Sequence, residues 1–314
     1  MTPNLVFLFP GQGSQSQGML AGFSDSKSVA DTFAEASDAL GYDMWALVQD
    51  NPDGKLNLTE YTQPALLTSS TALLRLWRER GGIEAGHAAG HSLGEYSAHV
   101  AAGSLGFSEA VQLVAFRGKE MSSAVPADVG RMAAILGLGD DVLERICAET
   151  SGEQEKVWAA NYNCPGQIVI AGHAMAVDRA MAAAKAAGAK RALPLAVSAP
   201  SHTPLMQPAA DAMRERLAEI ELKAPDRRVW SNALAAPVQS AQEIREALVQ
   251  QLVMPVRWVQ IVQQMGHAGV SAGIEMGPGK VLSGLVKRIE REMQVGQAES
   301  PEAMQASLDL VGEV

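Results

Sequence analysis

The sequence is poor in several residue classes, and each shortage excludes a kind of protein. Cysteine occurs twice in 314 residues, so no disulfide framework is expected, and no His, Cys or Asp cluster has the spacing of a metal site. Basic residues number 25 against 35 acidic ones, and the net charge of −10 disfavours nucleic acid and anionic membrane surfaces as partners. Bilayer-length apolar runs and signal-peptide features are missing, so we expect a cytoplasmic protein with reduced thiols.

Apolar runs alternate with helical patterns over most of the chain, which indicates a globular α/β protein. The first run, residues 5–9, is apolar throughout, as is typical of a buried strand in a parallel sheet. Between residues 129 and 197 the predicted order is strand-helix-strand-strand-helix-strand, the order of a ferredoxin-like unit. We therefore predict a small ferredoxin-like subdomain, 129–197, inserted into a large α/β subdomain made of 1–128 and 198–314.

Two local predictions concern the large subdomain. Ser108 precedes an apolar helical face and is expected to cap that helix. The residues from Val295 onward are polar and weakly patterned, so they are expected to form a loosely docked tail.

The pentapeptide Gly90-His91-Ser92-Leu93-Gly94 fits Gly-x-Ser-x-Gly, the signature of a sharp turn between a strand and a helix. Such a turn lifts the serine hydroxyl out of the backbone and places it at a helix N-terminus. There the N–H of Leu93 faces developing negative charge. The pattern alone is also compatible with a chance match in a chain that has 29 glycines. Ser92 is therefore a candidate nucleophile, supported by the small-residue strand before it and the helical pattern after it.

A serine nucleophile needs a general base, and His202 is the candidate among six histidines. It lies in the loop that leads from the predicted small subdomain to the next helix. Pro200 and Pro204 restrict the backbone on both sides of it, which suits a residue that must hold its position. The other histidines are interpreted as structural or solvent-exposed side chains: His87, His91, His99, His173 and His267.

Arg117 follows an apolar helical face, so its guanidinium can turn inward. A buried arginine requires a carboxylate partner, which either the protein or a ligand can supply. The alternative is an ordinary surface ion pair.

Six short motifs follow one another along the chain: Phe9-Pro10-Gly11-Gln12-Gly13-Ser14-Gln15, Gly90-His91-Ser92-Leu93-Gly94-Glu95-Tyr96, Arg117-Gly118, Asn161-Tyr162-Asn163-Cys164-Pro165-Gly166-Gln167, Pro200-Ser201-His202 and Gly277-Pro278-Gly279-Lys280-Val281-Leu282. In this order and spacing they resemble the malonyl-CoA:acyl-carrier-protein transacylases of bacterial type II fatty acid synthesis. The resemblance extends over about residues 5–289. It implies an α/β-hydrolase-like large subdomain with a parallel sheet, interrupted by a small ferredoxin-like subdomain, in agreement with the pattern above.

The resemblance also implies roles for the reacting groups. Ser92 matches the nucleophile of the family and His202 its general base. The backbone N–H groups of Gln12 and Leu93 match the oxyanion hole, and Arg117 matches the arginine that binds the malonyl carboxylate.

Three further positions follow from the same resemblance. The backbone carbonyl of Gln251 matches the group that orients the imidazole, in the place where a full triad has an aspartate. Asn163 and Gln167 match residues near the site whose roles are less defined. Nothing in the chemistry of the sequence points to Gln251 by itself.

The implied reaction is a ping-pong transfer from malonyl-CoA to the phosphopantetheine thiol of acyl carrier protein. We expect a monomer that uses no cofactor and no metal. Carrier protein is acidic in this pathway, so a chain with a net charge of −10 needs a local basic patch to receive it. Two basic pairs are candidates, and solvated surface charges are the alternative: Lys190-Arg191 and Lys287-Arg288.

Three other functions remain open. An esterase or thioesterase shares Gly-x-Ser-x-Gly but follows the chain order Ser, Asp or Glu, His, and the acidic residues between Ser92 and His202 that we can place fall in the inserted unit. A free-standing polyketide-type acyltransferase shares all of the chemistry. An inert carrier-protein scaffold would be favoured by loss of Ser92 or His202, and both are present.

Overall fold

The structure, a computed structural model, describes residues 1–126, 128–197 and 199–312. The strands are β1 Thr2–Phe9, β2 Ala85–Gly90, β3 Gly130–Leu136, β4 Val157–Cys164, β5 Gln167–His173, β6 Arg191–Pro194, β7 Arg228–Trp230, β8 Pro237–Val238, β9 Ala272–Glu275 and β10 Gln294–Gln297. The α-helices are α1 Lys27–Leu40, α2 Met44–Asp50, α3 Thr59–Glu79, α4 Gly94–Ala101, α5 Phe107–Ser123, α6 Asp140–Thr150, α7 Ala174–Ala186, α8 Gln207–Ala218, α9 Ala241–Val253, α10 Trp258–His267, α11 Val281–Ile289 and α12 Pro301–Gly312. Within these ranges, no helix is both long enough and apolar enough to cross a membrane.

A sheet of six described strands, in the order β10-β9-β1-β2-β7-β8, forms the centre of the larger part of the molecule. Its strands pair in parallel, except that β7 and β8 are antiparallel. Successive residues of β1 point to opposite faces: Phe7 and Phe9 join one hydrophobic cluster, whereas Val6 and Leu8 join the other. Both faces are covered by helices, which explains why the strand is apolar without alternation.

A second sheet lies wholly between residues 130 and 194, in the order β4-β5-β3-β6 with antiparallel pairing. Helices α6 and α7 bury their apolar faces against it, with Leu143 and Val177 in the shared cluster. This arrangement confirms the predicted fold class, a parallel α/β sheet accompanied by a small ferredoxin-like unit. The predicted subdomain boundaries stay predictions, and residues 127, 198, 313 and 314 lie outside the described residues.

The prediction of a loosely docked C-terminal tail is wrong. Strand β10 pairs in parallel with β9 and extends the large sheet, and Met304 and Val311 of α12 are buried in its main hydrophobic cluster. The hydroxyl of Ser307 ties the two elements together, because it accepts from the N–H of Gln297 at 2.8 Å and donates to the carbonyl of Gln297 at 2.7 Å. A polar strand such as β10 is held by backbone pairing, which leaves little signal in the side-chain pattern.

The prediction that Ser108 caps a helix is also wrong. Helix α5 begins at Phe107, two residues earlier than a Ser108 cap requires, with Gly106 at the N-cap position and no side-chain cap. The Ser108 hydroxyl instead donates to Glu35 on α1 at 2.8 Å. Ser108 therefore links two helices rather than closing the end of one.

Candidate active site

Ser92 lies in a tight turn between β2 and α4, at the carboxyl edge of the parallel sheet. Its φ is +51°, a left-handed conformation that a non-glycine residue adopts at an energetic cost. Two glycines make the turn possible by close approach: a Cβ on Gly90 would lie 1.9 Å from the carbonyl carbon of Gly94. A Cβ on Gly94 would lie 2.0 Å from the carbonyl oxygen of Phe9. The strained strand-turn-helix geometry predicted for the pentapeptide is present.

His202 reaches Ser92 across 110 positions of sequence. The Ser92 Oγ lies 2.8 Å from Nε2 of His202, and Nδ1 of His202 lies 2.7 Å from the backbone carbonyl of Gln251. A carbonyl can only accept, so Nδ1 carries the proton and Nε2 is free to accept from the serine hydroxyl. Ser92, His202 and the Gln251 carbonyl thus form a chain with the connectivity of a catalytic triad.

The imidazole of His202 is held neutral. It is 3% exposed, and burial lowers its pKa from 6.5 to about 3, with the positive charge of Arg117 acting in the same direction. A neutral imidazole is the form that accepts a proton. The His202 backbone also has a positive φ, +62°, so Ser92 and His202 both adopt left-handed conformations.

Arg117 of α5 turns inward beneath the serine, as its position after an apolar face predicts, and it is 1% exposed. Its guanidinium donates to the side-chain oxygens of Gln63 at 2.7 Å and Gln251 at 2.8 Å, and to the Ser92 Oγ at 3.3 Å. These acceptors are neutral, and among the described residues no carboxylate forms an ion pair with this arginine. The site therefore holds a buried cation whose hydrogen-bond partners do not neutralise it.

Two backbone N–H groups are available for a negatively charged oxygen. Leu93 directly follows Ser92 at the start of α4, and Gln12 lies in the loop after β1. That loop packs against the serine turn, since a Cβ on Gly11 would lie 2.4 Å from the carbonyl oxygen of His91. Within the described residues neither N–H donates to a protein acceptor, which leaves both free for a ligand.

Comparison with known proteins places this geometry in a family. Residues 6–307 match the acyl transferase domain family. The malonyl CoA-acyl carrier protein transacylase of Escherichia coli (strain K12) is 52% identical over 306 residues, which cover 97% of this chain and 99% of the relative. The chain belongs to the malonyl CoA-acyl carrier protein transacylase family. The transacylase of Bacillus subtilis (strain 168), 44% identical over 98% of each chain, is a more distant member.

Solved structures of the transacylase family have the same fold. The malonyl-CoA:acyl carrier protein transacylase of Xanthomonas oryzae superposes with a TM-score of 0.96 at 48% identity, over 99% of each chain. A second neighbour is a malonyl-transacylase in complex with a type II polyketide acyl-carrier protein, with a TM-score of 0.95 and 49% identity over 98% of this chain and 99% of that one. The resemblance drawn from the six motifs is confirmed.

Two side chains that sequence reasoning missed hold the serine turn of this transacylase-family protein. The Oδ1 of Asn232, just after β7, accepts from the Ser92 N–H at 2.6 Å, and its Nδ2 donates to the Gly90 carbonyl at 2.7 Å. The carboxylate of Glu95 accepts from the Asn232 N–H at 3.0 Å and from Nε2 of Gln251 at 2.6 Å. The position of Asn232 at the end of a parallel strand is a signal that could have found it.

Asn163 and Gln167 lie in different surroundings. Asn163 reaches the edge of the site, where its Oδ1 lies 2.8 Å from Nε2 of His91. Gln167 instead accepts from Arg288 at 3.0 Å and contacts Cys164. Roles in substrate binding stay predictions for both residues.

The two basic pairs are exposed, and one residue of each, Lys190 and Arg288, lies beside the tip of the β4–β5 hairpin at residues 164–167. Arg288, at the end of α11, contacts this tip through Gln167. Gly137 bonds to the tip through the Gly166 carbonyl at 2.8 Å and packs closely on the side chain of Lys190. Residues far apart in sequence, 190–191 and 287–288, thus flank a common region, which we call the hairpin patch.

Proposed function

We propose that this chain transfers the malonyl group from malonyl-CoA to the phosphopantetheine thiol of acyl carrier protein through a malonyl ester on Ser92. The observation that carries the proposal is the buried guanidinium of Arg117, 3.3 Å from the Ser92 Oγ and without an ion-pair partner in the described residues. A malonyl thioester has its free carboxylate one methylene from the carbonyl carbon. An acyl group held at the serine therefore brings a carboxylate within reach of the arginine.

In the first half-reaction His202 accepts the Ser92 proton at Nε2 while Oγ attacks the thioester carbonyl. The N–H groups of Leu93 and Gln12 stabilise the resulting oxyanion, and one such donor contributes on the order of 3 kcal/mol to lowering the barrier. The C–S bond then breaks, and the imidazolium returns its proton to the departing CoA thiolate. The malonyl ester remains on Ser92.

The second half-reaction reverses these steps with a different thiol. Nε2 of His202 takes the proton from the phosphopantetheine thiol, and the sulfur attacks the ester carbonyl. Collapse of the oxyanion breaks the bond to Ser92, whose Oγ recovers the proton. Every step is assigned to groups of this chain or its two substrates, so the proposed mechanism uses no cofactor and no metal.

We further propose that acyl carrier protein docks on the hairpin patch. Lys190, Arg191, Lys287 and Arg288 are exposed there, and their positive charge complements an acidic partner on a protein that is negative overall. The neighbour solved with a polyketide carrier protein leaves open which pathway supplies the carrier. The subdomain boundaries at 128/129 and 197/198, a cytoplasmic location and a monomeric state belong to the same proposal.

Intact mass spectrometry tests the acyl-enzyme directly. After mixing with malonyl-CoA, the wild-type chain should gain the mass of one malonyl group, and Ser92→Ala should gain none. An adduct that persists on Ser92→Ala would refute the nucleophile. Release of CoA with and without holo-carrier protein separates a transferase from a thioesterase, because only the thioesterase releases CoA beyond one equivalent when the carrier is absent.

A further inference from the structure

Glu95, in the first turn of α4, lies beneath the active site and is fully buried. One of its oxygens, Oε2, accepts from Nε2 of Gln251 at 2.6 Å and from the N–H of Asn232 at 3.0 Å. The proposed mechanism gives this carboxyl no role. A buried ionisable group placed under a reacting serine requires an explanation, because desolvation makes its charge costly.

The carboxyl connects to Arg117 through one amide. Gln251 presents its Oε1 to the guanidinium at 2.8 Å and its Nε2 to Glu95 at 2.6 Å. The reverse orientation would place amide hydrogens against the guanidinium and a carbonyl against the carboxylate, so the two charged groups fix the amide between them. The same Gln251 supplies the carbonyl that holds His202. Glu95 thereby orients the Gln251 side chain that accepts from Arg117, in the same residue whose main chain contacts His202.

Charge balance changes when substrate arrives. Before binding, the ionised form of Glu95 is the anion whose charge acts on Arg117. The proposed function places a second anion, the malonyl carboxylate, on that arginine, and two carboxylates near one buried cation leave an excess negative charge. We infer that binding of the malonyl carboxylate at Arg117 is coupled to uptake of one proton by Glu95, an inference that depends on the proposed function.

The chemistry of the Glu95 carboxyl supports this coupling. Burial raises its pKa from 4.5 to about 7, even though bonds from Gln251 and Asn232 and the charge of Arg117 lower it. Its second oxygen, Oε1, has no hydrogen-bond partner among the described residues. The nearby Ser231 hydroxyl stabilises the ionised form and so lowers the pKa of the carboxyl. A proton from solvent can therefore occupy Oε1 without displacing an existing bond.

Other ionisable groups around the carboxyl are few. Arg117 faces it from α5, and Tyr96 adjoins it on α4, where burial raises the tyrosine pKa to about 12 and keeps the phenol protonated. The elements that carry Gln251 and Asn232 present amides to it. His202, bonded to the Gln251 carbonyl, is the competing proton acceptor because its pKa would also rise beside a new anion.

Calorimetry on Ser92→Ala, which lacks the proposed nucleophile and should bind without turnover, measures the proton directly. Malonyl-CoA and acetyl-CoA are titrated at pH 7 in buffers of different ionisation enthalpy, and acetyl-CoA corrects for protons exchanged by the CoA phosphates. If the bound carboxylate raises the Glu95 pKa by about one from about 7, the protonated fraction rises from about one half to about nine tenths. Malonyl-CoA should therefore take up about 0.4 proton more than acetyl-CoA.

The double variant Ser92→Ala/Glu95→Gln separates Glu95 from His202. It should bind malonyl-CoA with the excess proton uptake lost, whereas Ser92→Ala/Glu95→Asp should retain an excess. Equal excess uptake with and without Glu95 would assign the proton to His202 and overturn the inference, as would the absence of any excess in Ser92→Ala itself. If Ser92→Ala binds malonyl-CoA no more tightly than acetyl-CoA, the proposed role of Arg117 fails, which is a distinct result.

Discussion

Replacement of Arg117 by alanine is the sharpest test of how the site selects its acyl group. The guanidinium is 1% exposed and bonded to the neutral oxygens of Gln63 and Gln251, so its charge is available to a substrate carboxylate. Removing one member of a buried ion pair costs about 3 to 5 kcal/mol, because the other charge is left without a partner. At about 1.4 kcal/mol per factor of ten, malonyl transfer should lose about two to three and a half decades in kcat/KM.

Acetyl transfer provides the internal reference, since an acetyl group has no carboxylate to lose its partner. The assay compares kcat/KM for malonyl-CoA and acetyl-CoA with holo-carrier protein as acceptor. In Arg117→Ala the ratio of kcat/KM for malonyl-CoA to kcat/KM for acetyl-CoA should fall by about two to three and a half decades. The ratio for Arg117→Lys should lie between those of the parent and Arg117→Ala, because an ammonium keeps the charge but lacks the planar guanidinium that binds both carboxylate oxygens. Arg214→Ala is the matched control, since this arginine pairs with Asp211 on the surface of α8 with 59% of its side chain exposed.

A kcat/KM ratio of malonyl-CoA to acetyl-CoA that Arg117→Ala leaves unchanged would refute this reasoning. If Arg117→Ala folds, as judged by circular dichroism and urea unfolding, and still prefers malonyl-CoA over acetyl-CoA within a few fold of the parent, another cation binds the carboxylate. Loss of both activities in equal proportion would also contradict the reasoning. It would mean that Arg117 supports the serine turn without recognising the acyl group.

Three further outcomes are expected. Gly94→Ala should unfold at lower urea, or fail to fold, because its Cβ would lie 2.0 Å from a carbonyl oxygen of β1, whereas the matched Gly284→Ala, with open space around its Cβ, should gain about 0.5 to 1 kcal/mol of stability. Burial lowers the pKa of His99 from 6.5 to about 3, so its unfolded form binds the proton first. The free energy of unfolding should fall from about pH 6.5 downward, by about 2 kcal/mol at pH 5 from this residue, and His99→Gln should make the total fall smaller by that amount. Charge reversal of Lys287 and Arg288 should raise KM for carrier protein about threefold to tenfold and leave KM for malonyl-CoA unchanged, and an unchanged carrier KM would remove the docking proposal.

The fold was predictable wherever side-chain pattern carries the information. The apolar run in β1 indicates a strand covered on both faces, and the pattern from 129 to 197 gives the order of the small sheet. The C-terminal segment was not predictable in the same way, because β10 is four residues long and polar. Met304, Leu308 and Val311 recur at helical spacing in α12, and that spacing is the signal that could have corrected the interpretation.

The residues of the candidate site also differ in how well the sequence predicts them. Ser92 carries a local motif, whereas His202 was a weak candidate until the resemblance supported it. Glu95 and Asn232 act through contacts that join positions 137 apart, and no local pattern encodes such a contact. Gln251 contributes a backbone carbonyl, a group that every residue possesses, so only three-dimensional placement distinguishes it.

The backbone carbonyl of Gln251, which accepts from Nδ1 of His202, has a consequence for the reversibility of the proposed reaction. A carboxylate in that place would carry a full charge and would hold the imidazolium firmly, whereas a main-chain oxygen carries a partial charge and cannot ionise. The enzyme exchanges one thioester for another of nearly equal free energy, so the imidazolium must release its proton to either thiol with similar ease. A weak acceptor that cannot ionise favours proton transfer to either thiol. No substitution of the side chain at position 251 can delete it.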